Sequence, residues 1–132
     1  MTDFQQRHPP DAALLAALAE RALAAMPEAL RRHLAGIAIA IEEIADDATL
    51  DDLGIESGWD LTGLYRGVPR HLRAKSAVAP LPDLIVLYRQ PILLEWIETG
   101  EDLARLVASV MIHEAAHHFG FSDDDIAALE RD

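Results

Sequence analysis

Apolar positions at helical spacing open the chain: Leu14, Leu15, Leu18 and Leu23 follow Asp11, a residue type suited to capping a helix. Pro27 ends that helix and, as a first-turn proline, opens a second one that runs to about Leu34. Gly36 stands where a left-handed C-cap is wanted. The period then changes. "GIAIAIEEI" places Ile37, Ile39 and Ile41 at alternate positions, which predicts a strand. Ala38 and Ala40 between them are small rather than polar, so both faces of that strand are expected to be covered.

The acidic stretch that follows reads as loop or a short turn of helix. "LTGLYRGVPR" holds Gly63, Gly67 and Pro69 and reads as a turn-rich crossing with a short strand at Leu64 to Tyr65. Leu84 to Tyr88, bounded by Pro82 and Pro91, is the second clear strand. Residues 92–98 fit either a short helix or a strand. From Glu101 to Phe119 the pattern is helical, with Glu101 and Asp102 in the first turn, where the helix dipole favours acids. Ser122 and Asp125, three apart, resemble a capping box at the start of a last short helix. Helices and a few strands without strict alternation predict an α+β domain.

The chain has 132 residues, which fits one domain: a flexible tail over residues 1–10 and a single folded unit over 11–132. It contains no cysteine, so disulfides and thiolate metal sites are excluded. "MTDFQQRHPPDAA" lacks the pattern of a signal peptide, and no apolar run approaches the ~20 residues of a membrane span, so a cytoplasmic location is expected. The net charge of −12 argues against nucleic acid or an anionic membrane as partner. Residues 42–60 carry eight acids and no Lys or Arg, whereas Arg66, Arg70, Arg73 and Lys75 follow closely. Both segments read as solvated surface.

"MIHEAAHHFGFSDDD", residues 111–125, concentrates the chemistry. On a helical wheel with His113 at zero, Leu106 falls near ~20°, His117 near ~40° and Val110 near ~60°. Leu103 and Glu114 lie at roughly 80–100°, and Val107 near ~120°. His113, Glu114 and His117 thus continue an apolar stripe, and the opposite side, with Ala104, Ala108, Ile112, Ala115 and Ala116, is also small or apolar. The helix is therefore expected to be buried nearly all round.

Buried imidazoles need partners. Four residues apart, His113 and His117 can reach one metal ion. Glu114 cannot easily ligate the same ion but can reach a water there as general base. Gly120 offers a left-handed turn that can bring Asp123 back as a third ligand. Three ligands with an open position define a catalytic zinc site. The same residues have plainer readings. His113 and His117 could be hydrogen-bonded core histidines, Glu114 could merely pair with a His or Arg, and Asp123 could stabilise a helix N-terminus. Asp124 or Asp125 could also compete with Asp123. His118 reads as a supporting group or a plain edge histidine. Tyr65 and Tyr88 read as oxyanion donors or as sheet residues with a polar tip. Trp59 and Trp96 read as core or interface anchors.

The run His113-Glu114-x-x-His117-x-x-Gly120-x-x-Asp123, preceded by "LTGLYRGVP" and "LPDLIVLYRQPI", resembles the small Asp-type zincins, also described as mini-zincins or minimal metallopeptidase-like domains. The resemblance covers about residues 35 to 130. It implies a compact zincin-like fold, with a small twisted sheet on the motif helix. It also implies Zn2+ on His113, His117 and Asp123 with Glu114 as base, and a peptide or protein substrate paired to an edge strand, either Ile37 to Glu43 or Leu84 to Tyr88. Met1, Met26 and Met111 all precede Asp123, so the methionine turn of larger zincins is not expected under the site. The expected function is a zinc-dependent metallopeptidase-like hydrolase. The alternative is a non-catalytic module of the same fold that binds a metal or partner without turnover. A homodimer stays open.

Overall fold

The computed structural model describes residues 8–67 and 83–131. Residues 1–7 of the tail expected over 1–10, and Pro69, Arg70, Arg73, Lys75 and Pro82, lie outside the described residues. Helix α1 (Ala12–Ala25) starts where Asp11 accepts the Leu14 N–H at 2.8 Å, the cap expected from its type. Pro27 precedes α2 (Glu28–Arg31), which tightens into a 3-10 turn at Arg32–Leu34. Gly36, at φ 78°, redirects the chain into β1 (Ala38–Glu42).

The acidic stretch contains a seven-residue helix, α3 (Asp47–Leu53). Asp46 caps it by accepting the Thr49 N–H at 2.8 Å, and Gly54 ends it at φ 69°. A 3-10 turn at Gly58–Asp60 leads into β2 (Gly63–Arg66). After β3 (Leu84–Tyr88), residues 92–98 prove helical: α4 runs Arg89–Thr99. Pro91 lies in its first turn, where a missing N–H costs no helical hydrogen bond. Helix α5 (Leu103–His118) is capped by Asp102, which accepts the Arg105 N–H at 3.1 Å, and α6 (Asp123–Arg131) closes the described chain. None of the described helices is long and apolar enough to cross a membrane.

Among the described residues, three strands form one mixed sheet in the order β1-β3-β2, an α+β arrangement. β1 runs parallel to β3, with Ala40 opposite Val86, and β2 antiparallel to it, with Tyr65 opposite Ile85. Strand alternation sorts the side chains onto two faces. On one face Ile39, Ile41, Ile85, Leu87 and Tyr65 join the main core with Leu15 of α1 and Val107, Met111 and Ala115 of α5. On the other, Val86, Tyr88 and Leu64 join Ala45 and Leu50 in a smaller cluster that α3 covers. Both faces are covered, as the small Ala38 and Ala40 suggested.

Two expectations need correction. Leu84 to Tyr88 is the central strand, bonded on both sides, so it offers no edge to a peptide. Nor is α5 buried all round. Its stripe is closed at Leu106 and Val110, 2% and 8% exposed. It opens further along, where the side chains of His113 and His117 are 42% and 53% exposed. α1 and the sheet pack against α5, with Gly63 of β2 against Val110. The short α6 brings Asp123 and Glu130 to the two histidines.

A candidate metal centre between the last two helices

Positions 113, 114 and 117 on one continuous helix put two imidazoles one above the other and a carboxylate beside them. His113 is held by its own helix. Its Nδ1 lies 2.8 Å from the Ser109 carbonyl oxygen and 3.3 Å from Ser109 Oγ. A carbonyl oxygen only accepts, so the Nδ1–H donates to it, and Nε2 is the ring nitrogen that faces outward. This is how metal-binding histidines are generally oriented. The backbone carbonyl that does it has no signature in the sequence.

Helix α5 ends in a Schellman turn. The Gly120 N–H donates to the His117 carbonyl at 3.1 Å and the Phe121 N–H to the Ala116 carbonyl at 2.9 Å. Gly120 supplies the left-handed conformation at φ 83°. The reversed chain then restarts in a reciprocal capping box. The Ser122 N–H donates to Asp125 Oδ2 at 3.0 Å, and the Asp125 N–H donates to Ser122 Oγ at 3.1 Å. These bonds hold the Asp125 carboxyl below its ordinary range. Asp125 is thereby engaged in the cap.

Asp123 faces α5 instead, with Oδ1 3.1 Å from His117 Nε2. Its neighbour on the same helix, Glu130, stands with Oε1 3.6 Å from His113 Nε2. The sequence reading did not single out Glu130, although its spacing of seven from Asp123 places it on the same helix face. The two imidazole rings lie 6.1 Å apart at 71°. The arrangement is thus two imidazole–carboxylate pairs side by side. Among the described residues, no three His, Asp or Glu side chains close on a single point.

Glu114 leaves the helix on another side, against β2. Burial pushes its carboxyl pKa up, against the opposing pull of the Tyr65 backbone N–H, which bonds to it, and of His117 and His113. The Tyr65 N–H is available because of the register. Tyr88 N–H donates to the Thr62 carbonyl, so in this antiparallel pair the backbone groups of Gly63 and Tyr65 point outward from the sheet. Gly63 also lets β2 lie close. A Cβ there would stand 2.7 Å from Val110 Cγ1 and 3.3 Å from Glu114 Cγ.

The supporting positions divide. Tyr65 donates its hydroxyl to Asp83 Oδ2 at 2.7 Å, and its ring stacks on His118 at 3.8 Å and 16°. His118 also meets Phe119 edge-on. These rings brace the strand whose N–H holds Glu114, but the Tyr65 hydroxyl is committed to Asp83 and not aimed as an oxyanion donor. Tyr88 is not brought to the site. It is fully buried on the opposite face of the sheet, where burial raises its pKa against the opposing pull of Arg66. Trp59 is exposed on its turn, while Trp96 packs against the main core.

In chemical terms the site offers two imidazoles, one with its outward nitrogen already fixed, carboxylates facing both, and a separate half-buried carboxylate beside β2. No curated protein matches the chain. A family model described as zincin-like metallopeptidase matches residues 34–132, which includes every residue of this site.

Proposed function

Because the chain belongs to the zincin-like metallopeptidase family, we propose that it is a zinc-dependent hydrolase acting on peptide bonds, with His113, His117 and Asp123 as zinc ligands and Glu114 as general base. The observation that carries this reading is the 3.1 Å approach of Asp123 to His117 across the Gly120 turn, on the side of α5 to which His113 turns its Nε2. Two imidazole nitrogens and a carboxylate are a donor set that zinc takes readily, and His113 is oriented for it beforehand. Bound zinc would supply Lewis acidity, polarising a substrate carbonyl and lowering the pKa of the attacking water.

The chain's own residues do the rest. Glu114 takes the proton of the attacking water and passes it to the leaving amine. Its desolvated position, with the pKa raised, suits a group that must both accept and return a proton. The Tyr65 N–H fixes the carboxylate in place, and Gly63 keeps β2 close enough for that bond. An extended peptide adds most directly along the outer edge of β2, which neighbours Glu114, rather than along β1 on the far side of β3.

Glu114→Gln tests the catalytic part. The amide oxygen can still accept from Tyr65, so the fold and the metal content are expected to survive while cleavage of a peptide library falls at least about 100-fold. Zinc bound normally with no cleavage by the wild type would favour the non-catalytic module instead.

A further inference from the structure

We propose that the outer face of α4, together with Trp59, is a docking groove for a basic amphipathic helix of another protein. The inference is independent of the metal reading above. Helix α4 is apolar on two sides. Pro91 and Ile92 are buried, and Trp96 packs against the main core. Leu93, Leu94 and Ile97 stand on the other side and, with Gln90 a turn earlier, line an open groove of about 390 Å³. The turn at Gly58–Asp60 packs against α4 and makes Trp59 the opposite wall. Ile97 is 72% exposed, Trp59 49% and Leu94 38%. Single apolar side chains at a surface are ordinary, but three large ones lining one groove mark an interaction site. Positions 90, 94 and 97 fall on successive turns of α4, so the face suits a second helix lying along it.

Charge decides what kind of helix fits. Asp60 directly follows Trp59, and Glu98 stands one turn past Leu94 beside Ile97; both acids are exposed. The cation in the groove's lining, Arg89, is already engaged. It donates to the Pro10 carbonyl at 2.8 Å and to Glu43 Oε1 at 2.9 Å. The apolar floor is thus bordered by acids. A helix with aliphatic residues on one face, flanked by Lys or Arg, complements both features. A second copy of this chain does not, because it would bring a further net charge of −12 to an acidic surface.

The test is fluorescence anisotropy of a labelled amphipathic peptide of Leu and Lys, about 14 residues or four turns long, titrated with the purified full chain. Mass spectrometry confirms that the peptide stays intact. Ile97→Ser and Trp59→Ala are each expected to weaken binding at least about tenfold, as loss of a central apolar anchor does. Leu14→Ser removes a comparably exposed apolar side chain from α1 and is expected to change binding less than about twofold. Asp60→Asn combined with Glu98→Gln is expected to weaken it about threefold, a loss that vanishes in about 1 M salt. A peptide of Leu and Glu with the same spacing is expected to bind at least about tenfold more weakly than the Lys peptide. No binding by the wild type, or wild-type affinity in both Ile97→Ser and Trp59→Ala, would overturn the groove. Equal binding of the Glu peptide would overturn the basic partner. A wild-type dimer in light scattering that Ile97→Ser dissolves would give the face to a second copy and overturn the proposal too.

Discussion

Asp123 Oδ1 lies 3.1 Å from His117 Nε2, six residues away along the chain and on a different helix. Gly120 makes that meeting possible. At φ 83° it occupies the left-handed position of a Schellman turn. Gly120→Ala is expected to cost about 1–2 kcal/mol by urea unfolding. It should also weaken zinc binding, because α6 would leave α5 at another angle. Unchanged zinc affinity in a folded Gly120→Ala protein would mean that Asp123 does not depend on this turn.

Gly63 governs the base in a comparable way. Even the methyl of Gly63→Ala would stand 2.7 Å from Val110 Cγ1, so β2 or Val110 must shift. Overpacking of this kind costs roughly 1–3 kcal/mol. The expected signature is lower thermal stability and reduced cleavage with zinc content preserved, since Glu114 is disturbed and the histidines are not.

Asp46 sets a pH dependence remote from the site. Its bonds with the Thr49 side chain and N–H hold its pKa below the ordinary 3.8. A carboxylate with a depressed folded pKa contributes stability that is present above its unfolded value and lost as pH falls through the folded one. Asp46→Ala should therefore be less stable than the wild type at neutral pH, with the gap narrowing in urea titrations below about pH 4. A gap that stays constant down to about pH 2.5 would contradict this assignment.

Much of the site was legible because it is local. The Asp11 and Ser122/Asp125 caps, the glycine after α5 and the spacing of His113, Glu114 and His117 all act within a turn or two of helix. What escaped was set by distant parts of the chain. No feature of "LPDLIVLY" says that two strands will flank it, and that pairing makes β2 rather than β3 the edge beside Glu114. The wheel placed His113 and His117 on a buried stripe correctly as to angle, but it could not say where along the stripe the covering elements stop. The Ser109 carbonyl and the Tyr65 N–H are backbone groups and leave no trace in residue identity. Residues 92–98 were ambiguous because Pro91 suggested a boundary, whereas in the first turn it is compatible with helix.

Zinc content tests the central claim most directly. Elemental analysis of the purified wild type should find about one zinc per chain. His113→Ala should carry almost none, and zinc at about 100 times its dissociation constant should stabilise the metal-free wild type by about 2.7 kcal/mol. A wild-type protein that holds no zinc and unfolds at the same temperature with and without added zinc would contradict the account.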